Sequence, residues 1–184
     1  MKLNKLRDLI QNIANKKVTD YSKPTASKLP KHLVYMFGES ILKKYREKNN
    51  ISETNINLRT FVEFAHGEIH YVGIDDFLKS GPIYVHAKGS FDIVLPTFTS
   101  PIRDRFTIAH EMGHYYLHSL GGDKKIWADR KGSGQVEWEA NWFAESFLMP
   151  RYLIKKNKIT TVSEMMDAFG VSAQAAELRL VYNG

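Results

Sequence analysis

The sequence predicts an α+β fold, mostly helical, in which a small antiparallel sheet of three or four strands packs on one central helix. Three observations predict it. Apolar residues recur at helical spacing before residue 50 and again after residue 100. Between about 57 and 96 the pattern changes to β-branched and aromatic residues alternating with polar ones, bounded by Gly and Pro. Finally, residues 105–118, RFTIAHEMGHYYLH, set His110, Glu111, His114 and His118 in one run of helical periodicity.

The chain of 184 residues suits one domain with a small appendage. It contains no cysteine, which excludes disulfides, thiolate nucleophiles and cysteine-ligated zinc, so any metal must rest on His and carboxylate. No apolar run approaches the length needed to span a bilayer. The first residues, MKLNKLRDLIQNIANKK, have neither a continuous apolar core nor a small-residue cleavage site, so a cytoplasmic protein without a membrane role is expected. The formal charge is +6, and residues 1–60 hold thirteen Lys/Arg against five Asp/Glu. Such a basic region suits nucleic acid or an acidic partner, although most basic faces are simply solvated.

Taken in order, Leu3, Leu6, Leu9, Ile10 and Ile13 predict an amphipathic helix over residues 2–16, followed by a Pro-containing linker at 19–30 where a hinge could sit. These residues, 1–30, form the first unit. The core unit is expected over 31–150 and a helical tail over 151–184. Leu33, Phe37, Ile41, Leu42 and Tyr45 predict a helix over 31–48, weakened by Gly38. Strands are expected around 57–74, at 83–87 and at 91–96. His66, His70 and His86 fall there without diagnostic spacing and read as ordinary surface or core histidines. Ser100 and Pro101 suit the start of the central helix. Inside it Gly113 costs about 1 kcal/mol relative to Ala, which close packing against a strand would explain. Residues 119–134, rich in Gly and charge, read as a surface loop or a mobile lid.

The central helix carries the chemistry. His110 and His114, four residues apart, share one helical face and can converge on a single ion. A catalytic zinc takes three protein ligands and leaves a fourth position for water. Glu111 lies at the edge of that face, where it can act as general base on the water without binding the metal. The chemistry implied is peptide-bond hydrolysis.

A third ligand is sought in the next helix, residues 135–150, QVEWEANWFAESFLMP. Glu137 and Asn141 are four apart, so Glu137 could bind the ion while Asn141 hydrogen-bonds a ligating histidine. Glu145, two turns on, is the weaker alternative. Glu139 points the other way and is expected to be exposed or salt-bridged.

RFTIAHEMGHYYLH followed by ExEANxFAxxxLMP resembles the ImmA/IrrE metallopeptidases, zinc enzymes of the gluzincin type, over roughly 83–150. The resemblance implies one Zn²⁺ held by His110, His114 and Glu137, with Glu111 as the catalytic glutamate. His118 matches a histidine that often follows this family's HExxH run; it could stabilise an oxyanion, orient a ligand or serve only in packing. Family members are typically bacterial, phage or mobile-element proteins that cleave a helix-turn-helix repressor and so derepress stress or transfer genes. Many carry a repressor-like DNA-binding domain at the N-terminus, and residues 1–60 lack that pattern, so a repressor substrate would be a separate chain.

In the tail, Thr161 and Glu164 form a capping box, Gly170 suits a helix stop and Ser172 can cap the next helix. The two helices resemble a helix-turn-helix, but the second offers only Arg179 as a cation, which favours a structural or docking element over a DNA reader. The leading expectation is a zinc endopeptidase acting on a regulatory protein. The alternative is a non-proteolytic regulator that binds a repressor or DNA on the same fold, and a hydrolase of small molecules shares the same ligands.

Overall fold

The computed structural model describes Asp8 and residues 21–86, 89–130 and 132–183. Apart from Asp8, the helix expected at 2–16 lies outside the described residues. Helix α1 (Lys31–Lys48) has the expected bounds and buries Val34, Tyr35, Leu42 and Tyr45. Gly38 is where it crosses helix α5 (Gln135–Leu148): a Cβ there would meet Ser146 Oγ at 2.3 Å and the Phe143 carbonyl at 3.1 Å.

The next segment departs from expectation. Residues 58–64 are helical, not extended: α2 (Leu58–Phe64) starts at Asn57, whose side chain accepts the Thr60 N–H. Leu58, Phe61 and Val62 fall at i, i+3 and i+4 and are buried, a helical period that the alternating residues following it obscure. Strand β1 (Gly67–Val72) begins only after His66, at φ 66°, turns the chain. Helix α3 (Ile74–Lys79) and strands β2 (Ile83–Val85) and β3 (Phe91–Pro96) follow.

The sheet has four strands in the order β1-β3-β2-β4. It is mixed, which corrects the antiparallel expectation. β2 and β3 are antiparallel neighbours, but β1 runs parallel to β3, with Gly67 opposite Phe91 and Val72 opposite Pro96. Parallel neighbours need a long crossover, and residues 73–90 supply it through α3 and β2. Strand β4 (Ile126–Trp127) joins β2 antiparallel and comes from the stretch expected to be loop. Two residues carry no periodicity, so only the pairing reveals it. The presumed linker is docked here too: the Ser22 N–H donates to the Lys125 carbonyl and the Trp127 N–H to the Ser22 carbonyl, each at 3.1 Å.

Helix α4 (Pro101–Gly113) begins as its sequence requires, with Ser100 Oγ accepting the Arg103 N–H and Pro101 at its first position. Its Ile108, Ala109 and Met112 join one core with Ile83, Val85, Phe91, Ile93 and Leu95 of the sheet and Phe143, Ala144 and Phe147 of α5. At Gly113 it meets α5 rather than a strand: a Cβ there would lie 2.9 Å from Ala140 Cα. The helix then widens into a π-helical turn, His114–His118, closed by Ser119 N–H to the His114 carbonyl at 3.0 Å.

The tail consists of α6 (Arg151–Lys156), α7 (Val162–Phe169) and α8 (Ala173–Asn183). The capping box of Thr161 and Glu164 forms, Gly170 is left-handed at φ 64°, and Ser172 Oγ accepts the Ala175 N–H. Met165, Phe169, Val171 and Ala176 enter the main core. Arg179 is only 1% exposed; it donates to the Met149 carbonyl at 2.8 Å and to Glu39 at 2.6 Å, so it is not offered to a nucleic acid. Among the described residues no helix is long and apolar enough to cross a membrane.

The α4 and α5 contact makes a test in which two effects oppose. Helix propensity alone predicts that Gly113→Ala stabilises by about 1 kcal/mol; a methyl pressed on the Ala140 backbone predicts a loss of about 1 to 3 kcal/mol. We expect the loss, measured by urea unfolding.

Candidate metal centre

Two helices build the centre. α4 presents His110 and Glu111, the π-helical turn that continues it presents His114, and α5 lies against them with Glu137 and Asn141. His110 Nε2 is 3.1 Å from His114 Nε2 and 3.1 Å from Glu137 Oε2, while His114 Nε2 is 3.6 Å from Glu137 Oε1. A tetrahedral ion with bonds of about 2.0 to 2.1 Å holds its donors about 3.3 Å apart, and the three separations bracket that spacing. His110 Nδ1 donates to Asn141 Oδ1 at 2.8 Å, which leaves the Nε2 lone pair facing the cluster. His110, His114 and Glu137 could therefore hold one divalent cation, and the set of two imidazoles and one carboxylate suits a catalytic site with an open position.

The electrostatics distinguish the two carboxylates. The imidazoles of His110 and His114, close to its oxygens, hold the Glu137 carboxyl well below the usual range. Burial pushes the Glu111 carboxyl up to about 7, and Glu111 is only 3% exposed. Its Oε2 is buried and has no hydrogen-bond partner among the described residues. Such an atom in a native structure calls for an explanation, and a reacting water held beside a cation is one. Burial lowers the His114 imidazole, whereas for His110 the opposing effect of Glu137 and Glu111 prevails over burial and raises it.

His118 lies behind His114 and not among the converging donors. Its Nδ1 is 2.9 Å from His114 Nδ1 and its Nε2 is 3.1 Å from Glu139 Oε2. That place suits orienting a ligand, not stabilising an oxyanion. Glu139, expected to be exposed or salt-bridged, has no exposure at all and is the partner of His118. Glu145 is apart from the cluster and accepts the Tyr35 hydroxyl.

Arg130 is a residue that sequence reasoning passed over. It sits in the 119–134 stretch and donates to the carbonyls of Phe77 and Ser80 at 3.0 Å, with its guanidinium 3.4 Å over the Phe77 ring. Its charge acts on Glu111, lowering the carboxyl against the dominant effect of burial. Nothing local marks an arginine in a Gly-rich loop as special. It lines a groove of about 430 Å³ with Phe77, Phe98, Arg103 and Thr107, reaching one turn before His110 on α4.

His70 and His86 meet on the outer side of the sheet, where each Nε2 is 2.6 Å from one oxygen of Asp92. Glu68 lies close enough to complete a second group of potential ligands with His70 and Asp92. The spacing decides between the readings: 2.6 Å is a charge-assisted hydrogen bond and leaves no room for an ion between the pair. Burial alone would raise the Asp92 carboxyl, but the two imidazole donors hold it at about 2.

A buried carboxylate, two converging imidazoles and a second carboxylate on packed helices could together hold a cation and activate a water. The model of the peptidase M78 family, described as the IrrE N-terminal-like domain, matches residues 86–181, more than half the chain, and the protein belongs to that family. No curated protein shows a significant match.

The Asp92 network sets a pH dependence. Its folded pKa lies below the ordinary value of about 3.9, so its contribution, roughly 2 kcal/mol, is complete above that value and is lost as pH falls toward 2. In urea unfolding, Asp92→Asn should be less stable than the parent at pH 7, with the gap closing between about pH 4 and pH 2.

Proposed function

We propose that the protein is a single-zinc endopeptidase that cleaves a specific regulatory protein, a helix-turn-helix repressor encoded as a separate chain. The observation that carries the catalytic part is Glu111: buried, raised toward neutrality, and one residue from His110 with a carboxylate oxygen that has no partner among the described residues. A zinc ion held by His110, His114 and Glu137 would supply Lewis acidity, lowering the pKa of a water and polarising the scissile carbonyl. Glu111 takes the proton from the attacking water and returns it to the leaving amine. Asn141 keeps His110 in one orientation through the whole cycle. The groove past Thr107 and Arg130 offers an apolar wall at Phe77 and Phe98 and cations at Arg103 and Arg130, a fit for an extended peptide.

The repressor as substrate follows from the family resemblance. In this reading residues 31–150 carry the catalysis and 151–184 brace it, since the buried Arg179 and the core residues of α7 and α8 support a structural tail. The second reading, a non-proteolytic regulator that contacts a repressor or DNA, is favoured only by the basic N-terminal region.

Purified protein incubated with zinc and the repressor encoded next to it should cleave that repressor, and a chelator should stop the reaction. Glu111→Gln should lower the rate by about 10² to 10⁴-fold while still binding zinc. His110→Ala should lose the rise in Tm on adding zinc, a gain of about 2.7 kcal/mol at a hundredfold excess over Kd. Undiminished cleavage by Glu111→Gln would sink the mechanism. Salt-sensitive DNA binding that persists after chelation, with no cleavage, would favour the second reading.

A further inference from the structure

We propose that Glu139 is a positioning residue: acting through His118, it fixes the proton of His114 on Nδ1 and so directs the bare Nε2 of His114 toward Glu137 and His110. The inference rests on the reading of His114 as a metal ligand.

Glu139 has no exposed surface, yet four donors converge on its carboxylate. Oε2 accepts from the Ser27 N–H at 2.8 Å and faces His118 Nε2 at 3.1 Å. Oε1 accepts from the Lys28 N–H at 2.9 Å and from Gln135 Nε2 at 3.1 Å. An ionised carboxylate only accepts, so His118 Nε2 must carry a hydrogen. In the neutral imidazole the other nitrogen is then an acceptor. That nitrogen, His118 Nδ1, lies 2.9 Å from His114 Nδ1, so the single proton between the two rings belongs to His114. His114 Nε2 is left with its lone pair free, 3.1 Å from His110 Nε2. Both histidines thus present bare Nε2 atoms to one point, His110 through Asn141 and His114 through His118 and Glu139.

Both rings belong to the π-helical turn, which the bond from Ser119 N–H to the His114 carbonyl closes, and their centroids lie 4.9 Å apart. The chain from Ser27 to Glu139 also spans 112 positions of sequence, so the docked N-terminal stretch holds the orienting carboxylate in place. A carboxamide cannot substitute. It has one acceptor oxygen, and its NH₂ would face donors on whichever side it was turned.

The deciding measurement is imidazole ¹⁵N NMR on the metal-free, full-length protein. His118 protonated on Nε2 and His114 protonated on Nδ1 are expected. A hydrogen on His118 Nδ1, or on His114 Nε2, overturns the proposal, and this readout needs no variant. In Glu139→Gln the two rings should lose their single tautomers and zinc Kd should rise by about 10 to 100-fold; unchanged tautomers and Kd would overturn it as well. The two readings fail separately. Parent protein with the expected tautomers but no zinc binding would sink the peptidase and leave the proton arrangement supported. Parent protein that binds zinc and cleaves, with His114 protonated on Nε2 when metal-free, would sink only the role of Glu139.

Discussion

The close packing of α4 on α5 at Gly113 and Ala140 is the contact on which the rest depends. With a Cβ at position 113 only 2.9 Å from the Ala140 backbone, the two helices lie as near as main chain permits. Ala140 stands between Glu139 and Asn141 and three residues after Glu137. The same approach therefore brings the Glu137 carboxylate to His110 and His114, Asn141 to the far nitrogen of His110, and Glu139 to His118. A wider crossing would break all three contacts together. Gly38 plays a matching part on the other side of α5, letting α1 press on Phe143 and Ser146 so that the helix is held between two neighbours.

Among the described residues, buried carboxylates other than Glu111 are answered by donors: Asp104 has the Thr99 hydroxyl, Glu139 has four donors and Glu145 has the Tyr35 hydroxyl, and the half-buried Asp92 has two imidazoles. Burying a charge without such partners is costly. Glu111 differs: burial raises its pKa and one oxygen stays unpartnered among the described residues. The contrast separates carboxylates that hold structure from the one whose environment suits proton transfer.

Much of the fold was legible because its signals are local. The bounds of α1, the cap at Ser100 with Pro101, and the Thr161 and Glu164 box ending at Gly170 each depend on residues within a turn or two of one another. The errors lie where that locality fails. α2 was hidden because Leu58, Phe61 and Val62 show a helical period for barely two turns before strand alternation begins. β4 has two residues and exists through its pairing with β2 and the bridge to Ser22. The parallel alignment of β1 with β3 depends on how residues 73–90 cross, which no periodicity encodes.

The candidate site divides in the same way. By itself the sequence determined that His110 and His114 share a face, that Glu111 sits at its edge, and that without cysteine any metal site must be built from His and carboxylate. Helix geometry alone dictates the first two, and composition the third. Tertiary structure decided that Glu137 rather than Glu145 meets the histidines, that His118 lies behind His114, and that Glu139 is buried beneath it and tied to Ser27 and Lys28. Those outcomes depend on the depth and angle at which distant segments pack, and on a π-helical turn, and the pattern of residues along one helix carries neither.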